Sequence, residues 1–453
     1  MPNLNPPAFD AWPISRGFEA AAVLTWWHGR PITYAVFLSH AQALSERLPE
    51  TGAVLNLCDD RAAFVLGWVA ALLRGLPTVL PSDRSASAIA NAAADGDASC
   101  LLTDRSRHWD LPGRVRRVQV DFDGEISSKR APPPAIAGNR IAAILYTSGS
   151  TGQPKASIKR WGSLVSGARS LGKMLGWHEG KAAYQVIGAI APQHMFGLET
   201  TVMLPLQWGV SINPARPLLP ADLEAILSVQ KQPSWLMMTP LHAAAYLSAN
   251  LDCGGRLSGA ISSTMALSAE TAIGLEALWE VPVNEIYGST ETGMIGLRRT
   301  CKTPQWQLAD DLTLDFSSPQ VVVTGRADMP AHTLNDQVEA GETRCFRLLG
   351  RNSDIVKVGG KRASIAELNA RLSELPGVLD AVMVWPEEGG RLAALVVAEP
   401  GIDAREIRRR LAQKIDRVFL PRPLWLVETL PRNENGKLPR QALLDLIARL
   451  RAS

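Results

Sequence analysis

Apolar residues in the first part of the chain follow two different periods. Apolar residues recur at helical spacing in residues 34–48 and 61–74. In residues 53–58 they instead form a short run that is typical of a buried strand. Helices that alternate with short apolar strands predict an α/β architecture with a largely parallel sheet. The proline-rich residues 127–138 then predict a connector.

The same alternation resumes after this connector. Residues 141–145 predict a buried strand, residues 221–229 and 269–278 predict helices, and residues 281–286 predict another strand. Residues 320–336 predict irregular, β-rich structure. A second α/β portion therefore follows the first.

Beyond residue 350 the pattern becomes that of a small α+β unit. Apolar spacing predicts helices over residues 365–375, 404–419 and 439–450. Two apolar runs, residues 381–385 and 393–398, predict strands.

Composition narrows the class of protein. With 453 residues the chain is too long for one compact core, which predicts two or more domains. Its 46% of hydrophobic and 20% of charged residues are ordinary for a soluble globular enzyme. The formal net charge of +3 is small for this length, so it does not favour a nucleic-acid binder.

Cysteine usage and the lack of targeting signals favour the cytoplasm. The five cysteines are odd in number and lack C-x-x-C spacing, which argues against a disulfide framework or a zinc site. The first residues show no signal-peptide pattern, and the longest apolar run, residues 62–73, is too short to cross a bilayer. We therefore expect a soluble, cytoplasmic protein without membrane insertion.

The most informative segment is residues 146–155, Y-T-S-G-S-T-G-Q-P-K. Gly149 and Gly152 let backbone N–H groups approach a polyphosphate closely, and Lys155 adds a positive charge. Four hydroxyl side chains add further donors: Thr147, Ser148, Ser150 and Thr151. Because the spacing differs from the P-loop pattern G-x-x-x-x-G-K-[ST], the segment is either another kind of phosphate loop or a Ser/Gly-rich surface turn.

Three further segments favour the phosphate loop. They are residues 284–293 (N-E-I-Y-G-S-T-E-T-G), residues 350–368 (G-R-N-S-D-I-V-K-V-G-G-K-R-A-S-I-A-E-L) and residues 430–440 (L-P-R-N-E-N-G-K-L-P-R). All four segments together resemble the signatures of the adenylate-forming, or AMP-binding, superfamily. That superfamily includes acyl-CoA synthetases, aryl-acid ligases, carrier-loading adenylation domains and luciferases.

This resemblance implies a fold and a division into domains. The implied fold class is α/β, with a large multi-subdomain N-terminal domain over residues 1–350. A small α+β C-terminal lid follows over residues 351–453, with the hinge near Asp354. Gly359 and Gly360 are the implied lining of the tunnel for a thiol arm, where side chains would obstruct. An ordinary interdomain loop is the alternative for this stretch.

The resemblance also implies a reaction and its residues. Family members use ATP and Mg²⁺ to convert a carboxylic acid into an acyl-adenylate, which then reacts with a thiol. By resemblance Lys437 is the catalytic lysine that bridges the substrate carboxylate and the α-phosphate. Glu291 is the other catalytic residue and the Mg²⁺ ligand. The implied ATP-binding residues are Thr147, Ser148, Gly149, Ser150, Thr151, Gly152, Lys155, Tyr287, Gly288, Thr290, Asp336 and Arg351.

Asp336 departs from the family pattern. A carboxylate here can accept hydrogen bonds from both ribose hydroxyls. The usual T-G-D is replaced by Leu334-Asn335-Asp336, but the spacing to Gly350-Arg351 supports the assignment. An exposed loop aspartate is the alternative.

The implied acyl pocket favours an aryl or acyl acid. Its residues are His194, Phe196, Thr264 and Met265. The segment 190–198, I-A-P-Q-H-M-F-G-L, lacks the Asp with which amino-acid-activating relatives bind the α-ammonium group. We expect His194 to line the pocket rather than act as a base, and Thr264 and Met265 to narrow it.

The expected function is that of an ATP-dependent carboxylic acid–thiol ligase. Its partners would be a small-molecule carboxylic acid and a thiol, either coenzyme A or the phosphopantetheine of a separate acyl carrier protein. Two alternatives stay open, a fatty-acid-specific acyl-CoA synthetase and a non-catalytic nucleotide-binding relative. Acid-dependent release of pyrophosphate separates a catalyst from a binder.

Overall fold

The structure is a computed structural model that describes residues 10–105, 109, 111, 115–124, 134–147, 155–178, 184–318, 320–351, 355–358, 361–385, 391–432 and 438–452. These residues form two compact units. The first comprises those up to 147, from 155 to 314 and from 323 to 332, and the second those from 315 to 322 and from 333 onward. The domain boundary between residues 350 and 351 stays a prediction from the sequence.

The first half of the first unit is built on a six-stranded sheet. Its strands are β4 (Ala53–Asn56), β5 (Thr78–Leu80), β6 (Ala98–Thr103), β7 (Arg116–Gln119), β9 (Ile141–Thr147) and β10 (Lys155–Arg160). They pair in the order β10-β9-β5-β4-β6-β7, and every pair is parallel except the antiparallel β9–β10 pair. The remaining elements are α1 (Tyr34–Glu46), α2 (Arg61–Arg74), α3 (Ala86–Asp95), and the antiparallel pairs β1 (Ala11–Pro13) with β8 (Ala135–Ala137) and β2 (Val23–Trp27) with β3 (Arg30–Thr33).

Helix α2 shows why an apolar run of this length belongs to a core. Asp60 caps its first turn by accepting hydrogen bonds from the N–H groups of Ala62 and Ala63, at 2.7 and 3.2 Å. All residues from 61 to 72 are buried, so the helix is covered on every side. The prediction of a buried helix over residues 61–74 is confirmed. Among the helices that the structure describes, none is long and apolar enough to cross a membrane.

The second half of the first unit is built on another sheet. Its strands are β11 (Gln185–Gly188), β12 (Ser211–Ile212), β13 (Ser234–Met238), β14 (Leu257–Ser262), β15 (Val283–Ser289), β16 (Gly293–Arg298) and β17 (Trp306–Leu308). These strands pair in the order β12-β11-β13-β14-β15-β16-β17, parallel as far as β15 and antiparallel from there. The helices are α4 (Trp161–Met174), α5 (Met195–Leu198), a π-helical turn (Glu199–Met203), α6 (Leu204–Trp208), α7 (Pro220–Val229), α8 (Pro240–Ser248) and α9 (Ala269–Trp279).

The second unit has an α+β architecture. Its strands are β21 (Asp336–Ala340) with β22 (Cys345–Arg351), β23 (Ile355–Val358) with β24 (Lys361–Ser364), and β25 (Val378–Val384) with β26 (Ala393–Ala398) and β27 (Leu424–Leu426). Its helices are α10 (Ile365–Ser373), α11 (Ala404–Leu411) and α12 (Arg440–Ala452). Three short strands precede β21 in the chain: β18 (Thr313–Asp315), β19 (Val322–Thr324) and β20 (His332–Thr333).

One predicted helix of the second unit is too long. The spacing predicts a helix over residues 404–419, but α11 ends at Leu411 and only a 3₁₀ turn, Arg417–Phe419, follows. Asp416 starts that turn by accepting a hydrogen bond from the Val418 N–H group at 3.1 Å. An Asp that caps a new turn competes with continuation of the helix, and Phe419 still reaches the core.

Candidate active site

Parallel strands bring three of the predicted site segments to one edge of the second sheet. Strands β11, β13, β14 and β15 all run in the same direction, so their carboxyl ends share that edge. His194 follows β11, Thr264 follows β14, and Tyr287 lies near the end of β15. Ligands in open α/β sheets bind outside the carboxyl ends of the strands. The fold therefore places the predicted acyl and adenine residues where a small molecule would bind.

The S-T-E-T-G segment is the turn between β15 and β16. Ser289 and Thr292 close it through two hydrogen bonds between backbone N–H groups and side-chain oxygens, of 3.3 and 3.2 Å. A Cβ atom on Gly288 would lie 2.2 Å from the Gly293 carbonyl oxygen, so only glycine fits there. Gly293 itself has a φ of 70°, in the left-handed region. We name residues 289–293 the acidic turn, because Glu291 is at its centre.

Strand β10 holds the acidic turn from one side. The Lys159 ammonium group, on a residue only 4% exposed, donates to the Glu291 carbonyl oxygen at 2.5 Å. The Ser157 hydroxyl donates to the Thr290 carbonyl oxygen at 3.3 Å. Both contacts engage the backbone, so they fix the path of the turn without occupying the Glu291 carboxylate.

Arg326 holds the other side of the turn. Its guanidinium, on a residue 3% exposed, donates to the carbonyl oxygens of Thr292 and Met294 at 2.9 and 2.8 Å. It also forms two hydrogen bonds of 2.8 and 3.1 Å with the Asp311 carboxylate. The planar, forked guanidinium suits such a site, because it can satisfy several oxygens at once.

Glu199 completes the buried charges around this turn. Its two carboxylate oxygens accept the Met294 N–H group at 3.1 Å each, and one of them lies 4.0 Å from Arg326. Burial raises the pKa of Glu199, and the positive charge of Arg326 opposes that rise. We name Lys159, Glu199 and Arg326 the charged cradle.

Hydrogen bonds and nearby positive charges favour the ionised form of Glu291. Burial by itself raises the pKa of the Glu291 carboxyl. Hydrogen bonds from its own N–H group and from Ser289, with the charges of His332 and Lys159, outweigh burial, and the pKa is lowered. Burial in turn lowers the pKa of Lys159 to about 8, against the pull of Glu291 and Glu199.

The acidic turn fits Mg²⁺ as a shared ligand of protein and nucleotide. No cluster of three or more His, Cys, Asp or Glu side chains that could hold a metal ion occurs in the part of the chain that is described. Mg²⁺ is usually bound by one or two carboxylates together with substrate phosphates and water rather than by a protein cage. A single ionised Glu291 beside hydroxyl side chains matches that donor set.

Buried side chains also anchor the loop that carries His194. Arg61, at 2% exposure, donates to the carbonyl oxygens of Gly188 and Ile190 at 2.7 and 3.0 Å. Gln193 donates to the Cys58 carbonyl oxygen at 2.9 Å. Burial raises the pKa of the Asp83 carboxyl, but hydrogen bonds from Ser85 and Ser82 outweigh burial and lower it, and the charge of His194 adds a smaller effect in the same direction. The segment is thus tied to the ends of both sheets.

The loop after β14 contrasts with these anchored segments. Thr264 has a φ of 83°, which a β-branched residue adopts at a cost of order 1–3 kcal/mol. Its Oγ1 atom and Ser262 Oγ are buried and have no hydrogen-bond partner among the described residues. Between them, the Ser263 hydroxyl donates to the Ile286 carbonyl oxygen at 3.1 Å. This bond ties the loop to β15 and therefore places it beside Tyr287.

The other predicted site residues within the described ranges lie on several different elements. Tyr287 packs against Trp306 with ring centroids 5.6 Å apart, and Phe196 is buried in α5. Lys155 is exposed at the start of β10, opposite Thr147 in the ladder. Asp336 and Arg351 are opposite one another in the second unit. Met265 lies partly exposed next to Thr264.

Nine predicted site residues lie outside the described residues. They are Ser148, Gly149, Ser150, Thr151, Gly152, Asp354, Gly359, Gly360 and Lys437. Their assignments stay predictions.

Sequence reasoning missed the charged cradle and Arg61. One signal was available for Arg61 and Glu199, because both stand in or beside apolar stretches that the fold buries. A charge in such a place requires a partner. The sequence alone does not identify that partner, since Lys159 and Glu291 are 132 positions apart.

Comparisons with known proteins agree with this geometry. A family model described as AMP-binding enzyme matches residues 14–335, and one described as AMP-binding enzyme C-terminal domain matches residues 367–437. The 4-coumarate–CoA ligase of Rhodobacter capsulatus is 31% identical over 336 residues, which cover 72% of this chain and 80% of that protein. A linear gramicidin synthase of Brevibacillus parabrevis is 24% identical over 91% of this chain, which spans only 6% of that much longer protein.

Solved structures share the fold at low identity. O-succinylbenzoate coenzyme A synthetase from Bacillus subtilis, in complex with AMP, matches with a TM-score of 0.79 at 18% sequence identity. The match covers 92% of this chain and 94% of that chain. ATP-bound MatB from Rhodopseudomonas palustris matches with a TM-score of 0.79 at 18% sequence identity, and the match covers 95% of this chain and 97% of that chain.

Proposed function

The chain belongs to the AMP-binding enzyme family, and we propose that it is an ATP-dependent carboxylic acid–thiol ligase. In the first half-reaction a carboxylate oxygen bonds to the α-phosphorus of ATP, and the bond from that phosphorus to pyrophosphate breaks. In the second a thiol attacks the acyl carbon, AMP leaves with the bonding electrons, and the thiol proton passes to solvent. The products are a thioester, AMP and pyrophosphate.

The observation that carries this proposal is the acidic turn with its charged cradle. An anionic carboxylate must approach an anionic phosphate, so the site needs fixed groups that offset charge and hold both reactants in place. Lys159, Ser157 and Arg326 bind the carbonyl oxygens of the turn, which fixes the direction of the Glu291 carboxylate. Mg²⁺ bound to Glu291 would offset phosphate charge, and Thr290 would add a hydroxyl donor.

The remaining residues keep the roles that resemblance gives them. Tyr287 and Gly288 would face the adenine, and Asp336 and Arg351, which are opposite one another in the β21–β22 ladder, would bind ribose. The phosphate loop would bind the β- and γ-phosphates. Lys437 would bridge the carboxylate and the α-phosphate, with Asp354 as hinge and Gly359 and Gly360 along the thiol path.

The acid is proposed to be an aryl or acyl acid rather than an amino acid. No Asp occurs between residues 190 and 198, the segment in which amino-acid-activating relatives carry the Asp that pairs with the α-ammonium group. Two similar proteins are named for aromatic acids, 4-coumarate and O-succinylbenzoate. The thiol acceptor is proposed to be coenzyme A or a carrier-protein phosphopantetheine.

Acid-dependent exchange of labelled pyrophosphate into ATP tests the first half-reaction. The panel contains benzoates, cinnamates, fatty acids and the proteinogenic amino acids. We expect exchange with at least one carboxylic acid and none with the amino acids. Binding of ATP without exchange for any acid would instead support a non-catalytic nucleotide-binding protein. Thioester formation is then measured with coenzyme A and with a phosphopantetheinylated carrier protein as separate acceptors.

A further inference from the structure

Thr264 combines two unfavourable features in one residue. Its φ of 83° lies in the left-handed region, where a β-branched side chain is strained and glycine is not. Its Oγ1 atom is shielded from solvent and finds no hydrogen-bond partner within the described part of the chain. Glycine at this position would remove both costs, so packing and backbone geometry do not explain the threonine.

The position of Thr264 indicates what its hydroxyl could serve. The residue comes two positions after the end of β14, at the carboxyl edge that also carries His194 and Tyr287. Its neighbour Ser263 is bonded to the Ile286 carbonyl oxygen at 3.1 Å, which holds the loop beside the end of β15. Strained residues in sparsely populated backbone regions cluster at ligand sites. A buried hydroxyl that meets a ligand there would gain a hydrogen bond that the described residues do not supply.

We propose that Thr264 Oγ1 binds a hydrogen-bonding substituent, a hydroxyl or carbonyl oxygen, on the acid that this site activates. The inference rests on the proposed ligase function and adds to it a class of substrate. The acid carries a polar group remote from its reacting carboxylate. The purely apolar analogue leaves the Thr264 hydroxyl without a partner, so it is activated more slowly.

Matched pairs of acids test this inference. The pairs are 4-hydroxybenzoate with benzoate, 3-hydroxybenzoate with benzoate, 4-coumarate with cinnamate, and 3-hydroxyoctanoate with octanoate. For each acid kcat/KM of pyrophosphate exchange is measured, and the ratio within the pair is the readout. We expect the wild-type protein to prefer the hydroxylated member of at least one pair by about 10- to 100-fold.

Thr264→Val is the decisive variant. Valine keeps the β-branched shape and the same backbone strain but lacks the hydroxyl, so it is matched to threonine for folding. We expect the ratio of the preferred pair to fall towards one. Ser263→Ala is the control, because its hydroxyl already bonds to a backbone carbonyl, and this variant should keep the wild-type ratio. Thr264→Gly, which removes strain as well, should lose the ratio and melt at a higher temperature.

Each outcome separates the inference from the proposed function. If exchange occurs but every wild-type ratio is near one, or if the ratio persists in Thr264→Val, the inference is wrong while the ligase proposal stands. If Thr264→Val raises the KM for ATP equally with all acids, the hydroxyl serves the nucleotide and the inference is again wrong. If no acid supports exchange in the wild-type protein, the proposed function fails, and the inference fails with it.

Discussion

The acidic turn and the loop after β14 lie at the same edge of one sheet but are built in opposite ways. In the turn, the carbonyl oxygens of Thr290, Glu291 and Thr292 accept hydrogen bonds from side chains elsewhere in the fold. In the loop, residues 262–267, Thr264 is strained, and the hydroxyls of Ser262 and Thr264 have no partner among the described residues. Among the described residues, hydrogen bonds therefore hold the backbone of the turn, whereas two buried hydroxyls of the loop lack a partner.

This difference matches the two kinds of substrate. ATP is common to every member of the family, so the groups that bind it can be fixed in advance, which lowers the cost of ordering them when the reaction occurs. The acid differs between members, and a loop whose polar atoms await a partner is a place where specificity can arise. The contrast therefore distinguishes binding of ATP, which the family shares, from binding of the acid, which varies between members.

The largest expected effect is on stability, from removing the central charge of the cradle. Arg326→Leu takes this cation away from the buried Glu199 carboxylate and the partly buried Asp311 carboxylate, so the free energy of unfolding should fall by about 3–5 kcal/mol. Urea denaturation measures it. The control is Arg299→Leu, which breaks an ion pair with Glu276 in which the Arg299 side chain is 43% exposed, and which should cost about 1 kcal/mol or less.

Equal losses in the free energy of unfolding of the two variants would contradict the view that buried charge holds the turn. A smaller loss in Arg326→Leu than in Arg299→Leu would contradict it more strongly. Both residues pair with a carboxylate, but only Arg326 is buried and also binds the carbonyl oxygens of Thr292 and Met294, so the difference between the two losses measures what the cradle contributes to stability.

Glu291→Gln should give the next largest effect, on activity alone. The amide keeps the shape of the side chain but cannot supply the negative charge that would bind Mg²⁺. We expect kcat/KM for acid-dependent pyrophosphate exchange to fall by a factor on the order of 10²–10³. A melting curve on the same sample should show a folded protein. Wild-type exchange in this variant would remove Glu291 from the proposed mechanism.

Lys159→Met tests whether the cradle positions the turn for the nucleotide. Methionine fills a similar volume but leaves the buried Glu291 carbonyl oxygen without its donor, an effect of about 1–3 kcal/mol. We expect the KM for Mg·ATP to rise by about tenfold, with the KM for the acid unchanged. Steady-state kinetics, with Mg·ATP and the acid varied in turn, gives the two KM values separately. A rise in both KM values would mean that Lys159 supports the whole site rather than the acidic turn.

Much of the fold could be predicted from local patterns in the sequence. Helix α2 is found as predicted over residues 61–74, and β26 over residues 393–398, because each buries a continuous apolar run. The helix predicted over residues 404–419 failed because Asp416 caps a new turn, and a cap is decided by local geometry that apolar spacing does not show. The parallel sheet also followed from the alternation of helices and strands.

The site was less accessible to sequence reasoning. Glu291 and His194 stand in recognisable segments, whereas the partners that hold them do not. Arg326 reaches the acidic turn from 34 positions away, and Arg61 reaches Gly188 across 127 positions. The strain at Thr264 is equally invisible, since threonine in a serine-rich stretch gives no sign of a positive φ. Long-range hydrogen bonds and backbone conformation are products of the whole fold.

The smallest expected effect compares two adjacent serines in the loop after β14. Ser263→Ala removes the hydroxyl that bonds to the Ile286 carbonyl oxygen, so the free energy of unfolding should fall by about 0.5–1.5 kcal/mol. Ser262→Ala removes a fully buried hydroxyl that bonds to no described residue. The free energy of unfolding of this variant should therefore equal or slightly exceed that of the wild-type protein. Urea denaturation of both variants with no ligand present gives the two values. If Ser262→Ala is the more destabilising change, the Ser262 hydroxyl has a partner in solution, and the loop is as complete as the acidic turn.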